Sequence, residues 1–414
     1  MKKLLLPILG MIPLLSLAGG FQVNLQGTKQ TGMGHLGTSF HLGASSTYFN
    51  PAMMGLDENK FSVEAGVNLI SSSVQFRNDN TVINGNTGIS EMTSEMTDNP
   101  IGTPFYLYAT YKISDKLSAG LGVYTPFGSS VVWGDDWSGK YLIQDISLSA
   151  VFIQPTLSYN ISDKLRVGAG LAIVQGQVEI NRALPVPIGN DATANLQGST
   201  TAFGFNAGIH YDVSEKLSVG LTHRSKVDVE LEEGDVDFTV DAALATAFPD
   251  GKFSATLPLP GTTTLGLAYK VSDKLLVSAE GSLVQWSEYK SLDFDFETNT
   301  SSLDDSENPR NYEDAYIFRV GAQYSYSEMF DFRAGFYYDQ SPIQDEYFNP
   351  ETPNSDNIGI TAGFSGHFGE RFGVDASILY IIGTERDSEY QPAGFGGTYA
   401  SRSVITGIGL NYSF

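Results

Sequence analysis

The sequence predicts an all-β protein: a 14-stranded antiparallel transmembrane β-barrel with a small, partly helical N-terminal hatch inside its lumen. Three observations lead to this fold class. A seven-residue phrase recurs along the chain, segments of period-two alternation flank it, and short polar turns alternate with long variable loops. Short turns at one end and long loops at the other are typical of barrels that cross a membrane.

The repeated phrase reads Tyr111-Lys-Ile-Ser-Asp-Lys-Leu117, and similar phrases begin at Tyr159, Tyr211, Tyr269, Tyr324 and Gly366. The starts are 48, 52, 58, 55 and 42 positions apart, which indicates an array of like units. Ser and Asp side chains bond to nearby backbone and favour a tight turn. If both chain ends lie on the turn side, six turns join seven hairpins, which gives 14 strands, an even number as in single-chain bacterial barrels.

The flanking segments alternate as strands do. Leu217, Val219 and Leu221 alternate with small or polar residues, and Val227, Val229 and Leu231 continue the same odd register, so we expect all six on the lipid-facing side. The barrel is expected over 59–414. The predicted strands are 60–77, 103–113, 116–133, 147–161, 164–182, 199–213, 216–232, 261–272, 274–294, 313–326, 329–340, 356–368, 371–386 and 401–414.

Two segments precede the barrel. Residues 1–18 have the charged start, short apolar core and small-residue cleavage site of an export signal. Residues 19–58 are rich in Gly, Ser and Thr and alternate poorly, so short helices and turns are expected there. Their apolar content favours a plug packed inside the lumen, which a 14-stranded barrel is wide enough to need. An exported chain with amphipathic strands is expected in the bacterial outer membrane.

Composition excludes several classes of function. The net charge of -23 argues against nucleic acid as a partner, and the absence of cysteine excludes disulfides and thiolate metal sites. The five histidines are dispersed, and the sequence lacks the common nucleophile, zinc and phosphate-loop motifs. We therefore expect no enzyme activity, no metal and no cofactor, with an outer-membrane lipid hydrolase as a minor alternative.

Cationic side chains on the inward register are candidate ligand contacts. Parity places Arg224, Lys226, Arg319 and Arg333 in the lumen, and Arg182 stands at the outer end of the fifth strand. Each could pair with another wall or hatch residue, or could hold an anionic head group such as a carboxylate.

Two further features suggest where a hydrophobic molecule would bind and leave. Residues 240–248, which include Leu244 and Phe248, are apolar and helix-prone although they lie in an outer loop; 183–188 and 257–260 are similar. Such surface either packs loop on loop or receives a ligand. In the third strand Pro126 and Gly128 interrupt the ladder, which predicts a bulge, kink or gap unless the strand simply leaves the bilayer there.

These residues resemble the FadL/TodX-type outer-membrane transporters of long-chain fatty acids and other hydrophobic compounds. The likeness is carried by Gly20-Phe-Gln-Val23, Asn50-Pro51-Ala52, Thr125-Pro-Phe-Gly128, Trp137-Ser-Gly-Lys-Tyr141, Leu221-Thr-His-Arg-Ser-Lys-Val227, Gln285-Trp-Ser287, Asp314-Ala-Tyr316, Phe332-Arg-Ala-Gly335 with Asp339-Gln-Ser-Pro342, and Asn411-Tyr-Ser-Phe414.

The resemblance implies a hatch around Asn50, Pro51 and Ala52, with Phe21 against the ligand. It also implies a side opening at a kinked third strand, where Pro126, Phe127 and Gly128 stand. One departure concerns specificity. Asp293 occupies the position of a lysine that contacts a carboxylate in the family, and Lys290 lies nearby. The substrate is therefore left open between a fatty acid and an uncharged hydrocarbon or aromatic.

The predicted function is passive uptake of a hydrophobic molecule by a monomer in contact with outer-membrane lipid. The ligand would be captured at the outer loops, bound in the lumen and released sideways. A general diffusion porin for small solutes is the main alternative.

Overall fold

A computed structural model describes residues 20–78, 93–186 and 192–414, and the chain forms a closed antiparallel barrel of 14 wall strands. The wall strands are β1 Phe61–Asn78, β2 Phe105–Lys112, β3 Leu117–Val132, β4 Asp145–Asn160, β5 Leu165–Ala183, β6 Thr193–Asp212, β7 Leu217–Arg224 and Val227–Thr239, β8 Gly251–Leu259 and Thr262–Ser272, β9 Leu275–Val284, β10 Ala315–Ser325, β11 Phe330–Asp339, β12 Asn357–Phe368, β13 Phe372–Gly383 and β14 Phe395–Ser413. Shorter strands Thr93–Met96, Asp295–Phe296 and Arg386–Tyr390 extend the wall at its loop end. The expected export signal, 1–18, and residues 187–188 of the apolar loop stretch lie outside the described residues.

The barrel closes between its first and last strands. β1 pairs with β14 from Ser62↔Ser413 to Arg77↔Thr398. The repeated phrases form tight turns, as predicted: the Ser114 hydroxyl accepts a hydrogen bond from the Leu117 backbone N–H at 3.2 Å, and Ser162 does the same for Leu165 at 3.1 Å. None of the helices in the described ranges has the length and apolarity needed to span a membrane.

An apolar belt covers the outside of the wall near the short turns. Its members are large side chains that are roughly half exposed: Leu69, Leu107, Leu121, Leu157, Leu171, Phe205, Leu221, Leu267, Phe318, Val320, Phe332, Ile360, Ile378, Ile408 and Leu410. Their inward neighbours are polar or small, as in Ser278, Glu280 and Ser282 of β9, which are buried. This pattern is that of a wall that faces lipid outside and a polar interior.

The structure differs from the prediction at several places near the loop end. β9 ends at Val284 rather than 294, because a 3-10 turn, Trp286–Glu288, directs Trp286 and Tyr289 back into the protein. β8 begins at Gly251, about ten residues before the predicted start. Residues 242–247 form turns rather than the expected helix.

The hatch fills the lumen as short helices and turns, as expected. It contains α1 Thr28–Thr31, α2 Ser46–Phe49 and a 3-10 helix, Pro51–Leu56. Its backbone packs directly on wall glycines: a Cβ on Gly363 would lie 2.8 Å from the Gly32 Cα. A side chain there would push the hatch away from the wall, so close contact depends on glycine.

Asn50 fixes the turn that the sequence singled out. Its side-chain oxygen accepts a hydrogen bond from the Ala52 N–H at 3.1 Å, and its amide donates to Thr38 and to Ile209 of the wall. Pro51 is the first residue of the 3-10 helix, where its missing N–H costs nothing. Hatch and wall are thereby joined at this motif.

Candidate functional site: an apolar cavity closed by the N-terminal segment

An apolar cavity lies inside the loop end of the barrel and has an empty volume of about 860 Å³. Its lining is almost entirely apolar. The apolar members are Phe21, Ile146, Leu148, Ala150, Val178, Ile180, Leu196, Val229, Leu231, Phe253, Ala255, Leu257, Leu259, Leu292 and Phe294. A lining of this character suits a hydrophobic ligand, because it offers few polar groups and excludes water.

The cavity exists because the strands reverse their amphipathicity along their length. On β5 the inward positions are Arg166 and Gly168 near the turn, but Val174, Val178 and Ile180 farther up, where the outward residues become polar. Where a strand leaves lipid for water its outer face must become polar, and its inner face is then free to be apolar. This reversal is visible in the sequence of β5, where Val174, Val178 and Ile180 alternate with polar residues.

A register break in β7 also turns apolar side chains inward, and it contradicts the prediction that Val229 and Leu231 face lipid. The two segments of β7 are separated by Ser225 and Lys226, and the buried parity changes from even before the break to odd after it. Val229 and Leu231 therefore line the cavity instead of facing lipid.

Lys226 is accordingly not lumenal. Its side chain is 38% exposed and lies 3.2 Å from Asp228 and 3.1 Å from Glu288. The break turns it outward, and its charge is satisfied by those two carboxylates. The prediction that it contacts a ligand in the lumen is wrong.

Phe21 closes the cavity from below. Its ring lies 4.9 Å from that of Trp286, 6.0 Å from Tyr289 and 6.1 Å from Phe127, measured between centroids. Phe21 is buried, and it is one of the residues that line the cavity. The ring forms part of the cavity floor, and its contact with a ligand stays a prediction.

The first residues of the hatch, Phe21–Gln26, are called the N-terminal segment below. This segment is attached to β3 at the predicted interruption. The Val23 N–H donates to the Pro126 carbonyl at 2.8 Å, and the Gly128 N–H donates to the Phe21 carbonyl at 3.0 Å. Gln22 and Phe127 thereby form an isolated antiparallel bridge. The register of β3 against β4 shifts between Tyr124 and Phe127, so Pro126 sits in a bulge.

On the edge opposite β4, β3 loses its pairing with β2 at the same place. The β2–β3 ladder runs from Lys112↔Ser118 to Tyr106↔Tyr124. Farther up, Asn99 and Asp98 of the irregular segment before β2 bond to Val132, while Pro126 and Gly128 bond inward to the N-terminal segment. Between these attachments the wall is held by the N-terminal segment rather than by β2.

The polar end of the cavity is a cluster around Glu351, which also lines it. The Arg310 guanidinium donates to the Glu351 carboxylate at 2.6 Å and to the Tyr390 hydroxyl at 3.1 Å. Arg182 is close enough to interact electrostatically with Glu351, and its buried Nε has no hydrogen-bond partner among the described residues. Asp293 is exposed and points away, whereas its neighbours Leu292 and Phe294 line the cavity.

The other predicted arginines lie in the lumen but outside this cavity. Arg224 donates to the Tyr48 carbonyl at 3.0 Å and its guanidinium stacks 3.9 Å from the Tyr48 ring. Arg319 donates to the Ser282 hydroxyl at 2.7 Å. Arg333 bonds to Gln323 at 2.7 Å and, beside the hatch, to Ser365 at 2.5 Å, so it is fully paired with the wall. All three arginine side chains face the lumen, as the alternation along their strands predicted, and none of them lines the apolar cavity.

The apolar loop residues are near the surface. Leu244 is half-buried in the loop after β7, and Phe248 packs against Phe238 with centroids 5.7 Å apart. Neither lines the cavity. Phe248 also packs against the buried apolar cluster that includes the cavity lining.

Residues 11–414 match the family model described as outer membrane protein transport protein (OMPP1/FadL/TodX). The chain belongs to this family. This FadL-family chain is therefore an outer-membrane β-barrel. Among relatives, a long-chain fatty acid transport protein of Escherichia coli is 22% identical, with 96% of this chain and 95% of that protein aligned.

Two solved structures share the fold of this FadL-family chain. A Pseudomonas aeruginosa FadL homologue superposes with a TM-score of 0.81 at 19% identity, covering 95% of this chain and all of that one. The Ralstonia pickettii toluene transporter TbuX gives 0.70 at 19% identity, with 94% and 98% covered. At these identities the likeness concerns the barrel and its hatch alone.

No group of three or more potential metal-ligating side chains is found within 20–78, 93–186 and 192–414.

Proposed function

We propose that this FadL-family protein carries an elongated hydrophobic molecule passively across the outer membrane. The observation that carries the proposal is the apolar cavity of about 860 Å³, closed below by Phe21 and the hatch. Burial alone would supply the affinity, at about 0.8 kcal/mol for each CH₂ group removed from water. An alkyl chain or aromatic therefore needs no reaction and no energy source to bind there.

Capture would begin at the loop end. Leu244 is partly exposed in the loop after β7, and Phe248 packs beside Phe238. A hydrophobic molecule that adsorbs there reduces exposed apolar area, and the molecule then passes inward to an environment that excludes water.

Release would occur sideways at β3. The cavity reaches Ser129, Ile146 and Ala150, which lie on β3 and β4 next to the bulge at Pro126. If the Phe21–Gln26 segment moves away from β3, it uncovers the stretch of β3 above Tyr124 that β2 does not pair with. The ligand would leave there toward the membrane.

The substrate we propose is recognised by its hydrocarbon portion. The E. coli relative is named for long-chain fatty acids and the Ralstonia structure for toluene. In this chain the charged residue that lines the cavity is Glu351, which is paired with Arg310 at 2.6 Å and lies near Arg182, so it does not by itself repel a carboxylate ligand. We therefore expect oleyl alcohol and oleate to bind with similar affinity.

Filling the cavity tests the proposal. In Ala150→Phe a benzyl group replaces a buried methyl group in the cavity wall, while Ile153→Phe on the same strand faces outward and is the matched control. Displacing three CH₂ groups of the ligand would cost about 2–3 kcal/mol, or roughly 50-fold in affinity for oleyl alcohol. Equal affinity of both variants and the parent, measured by titration of the purified protein, would refute the assigned pocket.

A further inference from the structure

A second, polar cavity lies beneath the N-terminal segment, between it, the hatch and the wall. It has an empty volume of about 570 Å³. The segment separates the two cavities by its own alternation: Phe21 lines the apolar one, whereas Gln22, Asn24 and Gln26 line the polar one. The function proposed above uses only the apolar side of this partition.

The charges that line the polar cavity do not balance. Arg224 and Arg319 each contribute one positive charge. Glu280 contributes one negative charge and is already committed to the hatch, because it accepts hydrogen bonds from the Gly37 N–H at 2.9 Å and from the Thr38 N–H and hydroxyl at 2.7 and 3.0 Å. Two positive charges and one negative charge leave a net charge of +1 in a place that water reaches poorly.

Several buried polar atoms around this cavity also lack partners. They are Nε of Arg319, Nδ1 of His35, Oε1 of Gln26 and Oδ1 of Asn206, none of which has a hydrogen-bond partner among the described residues. All four residues are more than nine-tenths buried, at 7, 5, 1 and 3% exposure, and all line the cavity. Buried polar groups are normally satisfied, so four around one cavity indicate that the cavity receives a polar molecule.

We propose that this cavity is a binding site for a small carboxylate. One carboxylate neutralises the excess positive charge, and its oxygens accept hydrogen bonds from Arg319, which also donates to the Ser282 hydroxyl. The unpaired acceptors on Gln26 and Asn206 then face a bridging water or a hydroxyl group of the bound molecule. A dianion would overcompensate the charge, which favours a carboxylate over a phosphate.

The test uses the purified full-length protein with acetate as probe and acetamide, which has the same shape but no charge, as control ligand. Saturation-transfer NMR titrations are expected to give binding of acetate at least about tenfold tighter than of acetamide. Arg319→Gln should weaken acetate binding at least about tenfold. Arg333→Gln removes a buried inward arginine that lies outside the cavity and should leave acetate binding unchanged.

Binding of oleyl alcohol to the same samples reports whether each variant retains its fold, and it separates this proposal from the hydrophobic one. Acetate binding that is absent, equal to acetamide binding, or equally affected by both arginine variants would overturn the carboxylate site. Acetate binding by a parent protein that does not bind oleyl alcohol would support this site and count against the hydrophobic carrier.

Discussion

Locking the N-terminal segment onto β3 would test the side exit. Gln22 and Phe127 face each other in an antiparallel bridge flanked by hydrogen bonds from their neighbours. Such a pair has Cα atoms about 4.5 Å apart, within the range that a disulfide spans. The chain contains no cysteine, so Gln22→Cys with Phe127→Cys would introduce a single defined crosslink.

The structure sets the size of the expected effect. Two backbone hydrogen bonds and the bond from Gln26 to the Thr125 carbonyl hold the segment to β3, at about 1 kcal/mol each. Burial of the Phe21 ring adds about 2 kcal/mol. Release thus costs about 5 kcal/mol, so roughly one molecule in several thousand has the segment detached at any time. Thermal opening is therefore rare but accessible, and a disulfide would abolish it.

The assay is uptake of labelled oleate or oleyl alcohol by cells that lack their own transporter. Oxidation should reduce uptake by the double-cysteine variant at least about tenfold, and a reductant should restore it. Ligand affinity of the purified protein should stay within about twofold, and each single-cysteine variant should be insensitive to oxidation. If the oxidised protein transports as fast as the reduced one, exit at β3 does not require this segment to move.

Two further predictions concern the hatch. Gly335→Val places a side chain against the Gly34 backbone and should displace the hatch, so planar-bilayer recordings should reveal steady ion conductance. Gly281→Val is the control, because an added Cβ there comes no closer than 3.8 Å to a neighbouring residue, and its barrel should stay closed. Equal conductance of the two variants would refute direct packing of the hatch on the wall. Burial, and next the charge of Arg319, lower the pKa of His35 from 6.5 to about 3. Below pH 6.5 the unfolded chain binds a proton at this side chain and the folded chain does not. The free energy of unfolding should therefore decrease as the pH is lowered from about 6.5 to about 3, by up to about 1.4 kcal/mol per pH unit. His35→Asn should reduce that slope in denaturant titrations at pH 7 and 5, while His41, whose pKa burial also lowers, retains its own share; an unchanged slope would contradict the assignment.

The sequence was sufficient for the strand number because the turns carry their own chemistry. The first five repeats from Tyr111 onward place a Ser whose hydroxyl accepts a bond from the turn backbone, and the sixth places Gly369, with a φ of 72°, at the same position. Counting turns therefore counts hairpins. The bulge at Pro126 could also be predicted, because a missing donor must interrupt a ladder. Its partner could not, since nothing local to Gln22 indicates that it would bridge to Phe127.

The cavity lining was only partly predictable for a physical reason. Parity assigns inward and outward faces as long as the register is regular, and the break at Lys226 reverses it. Arg319 and Arg333 lie on regular strands and were placed correctly, whereas Val229 and Leu231 were assigned to the wrong side. A single unpaired residue in a strand moves every later side chain to the opposite face.

Mass spectrometry of the hydrophobic molecules that co-purify with the protein tests the central claim most directly. The account predicts a hydrophobic molecule in near-stoichiometric amount in the parent protein and in Ile153→Phe, and much less in Ala150→Phe. Extracts that contain no such molecule, or contain it equally in all three proteins, would contradict an apolar cavity that binds the transported compound.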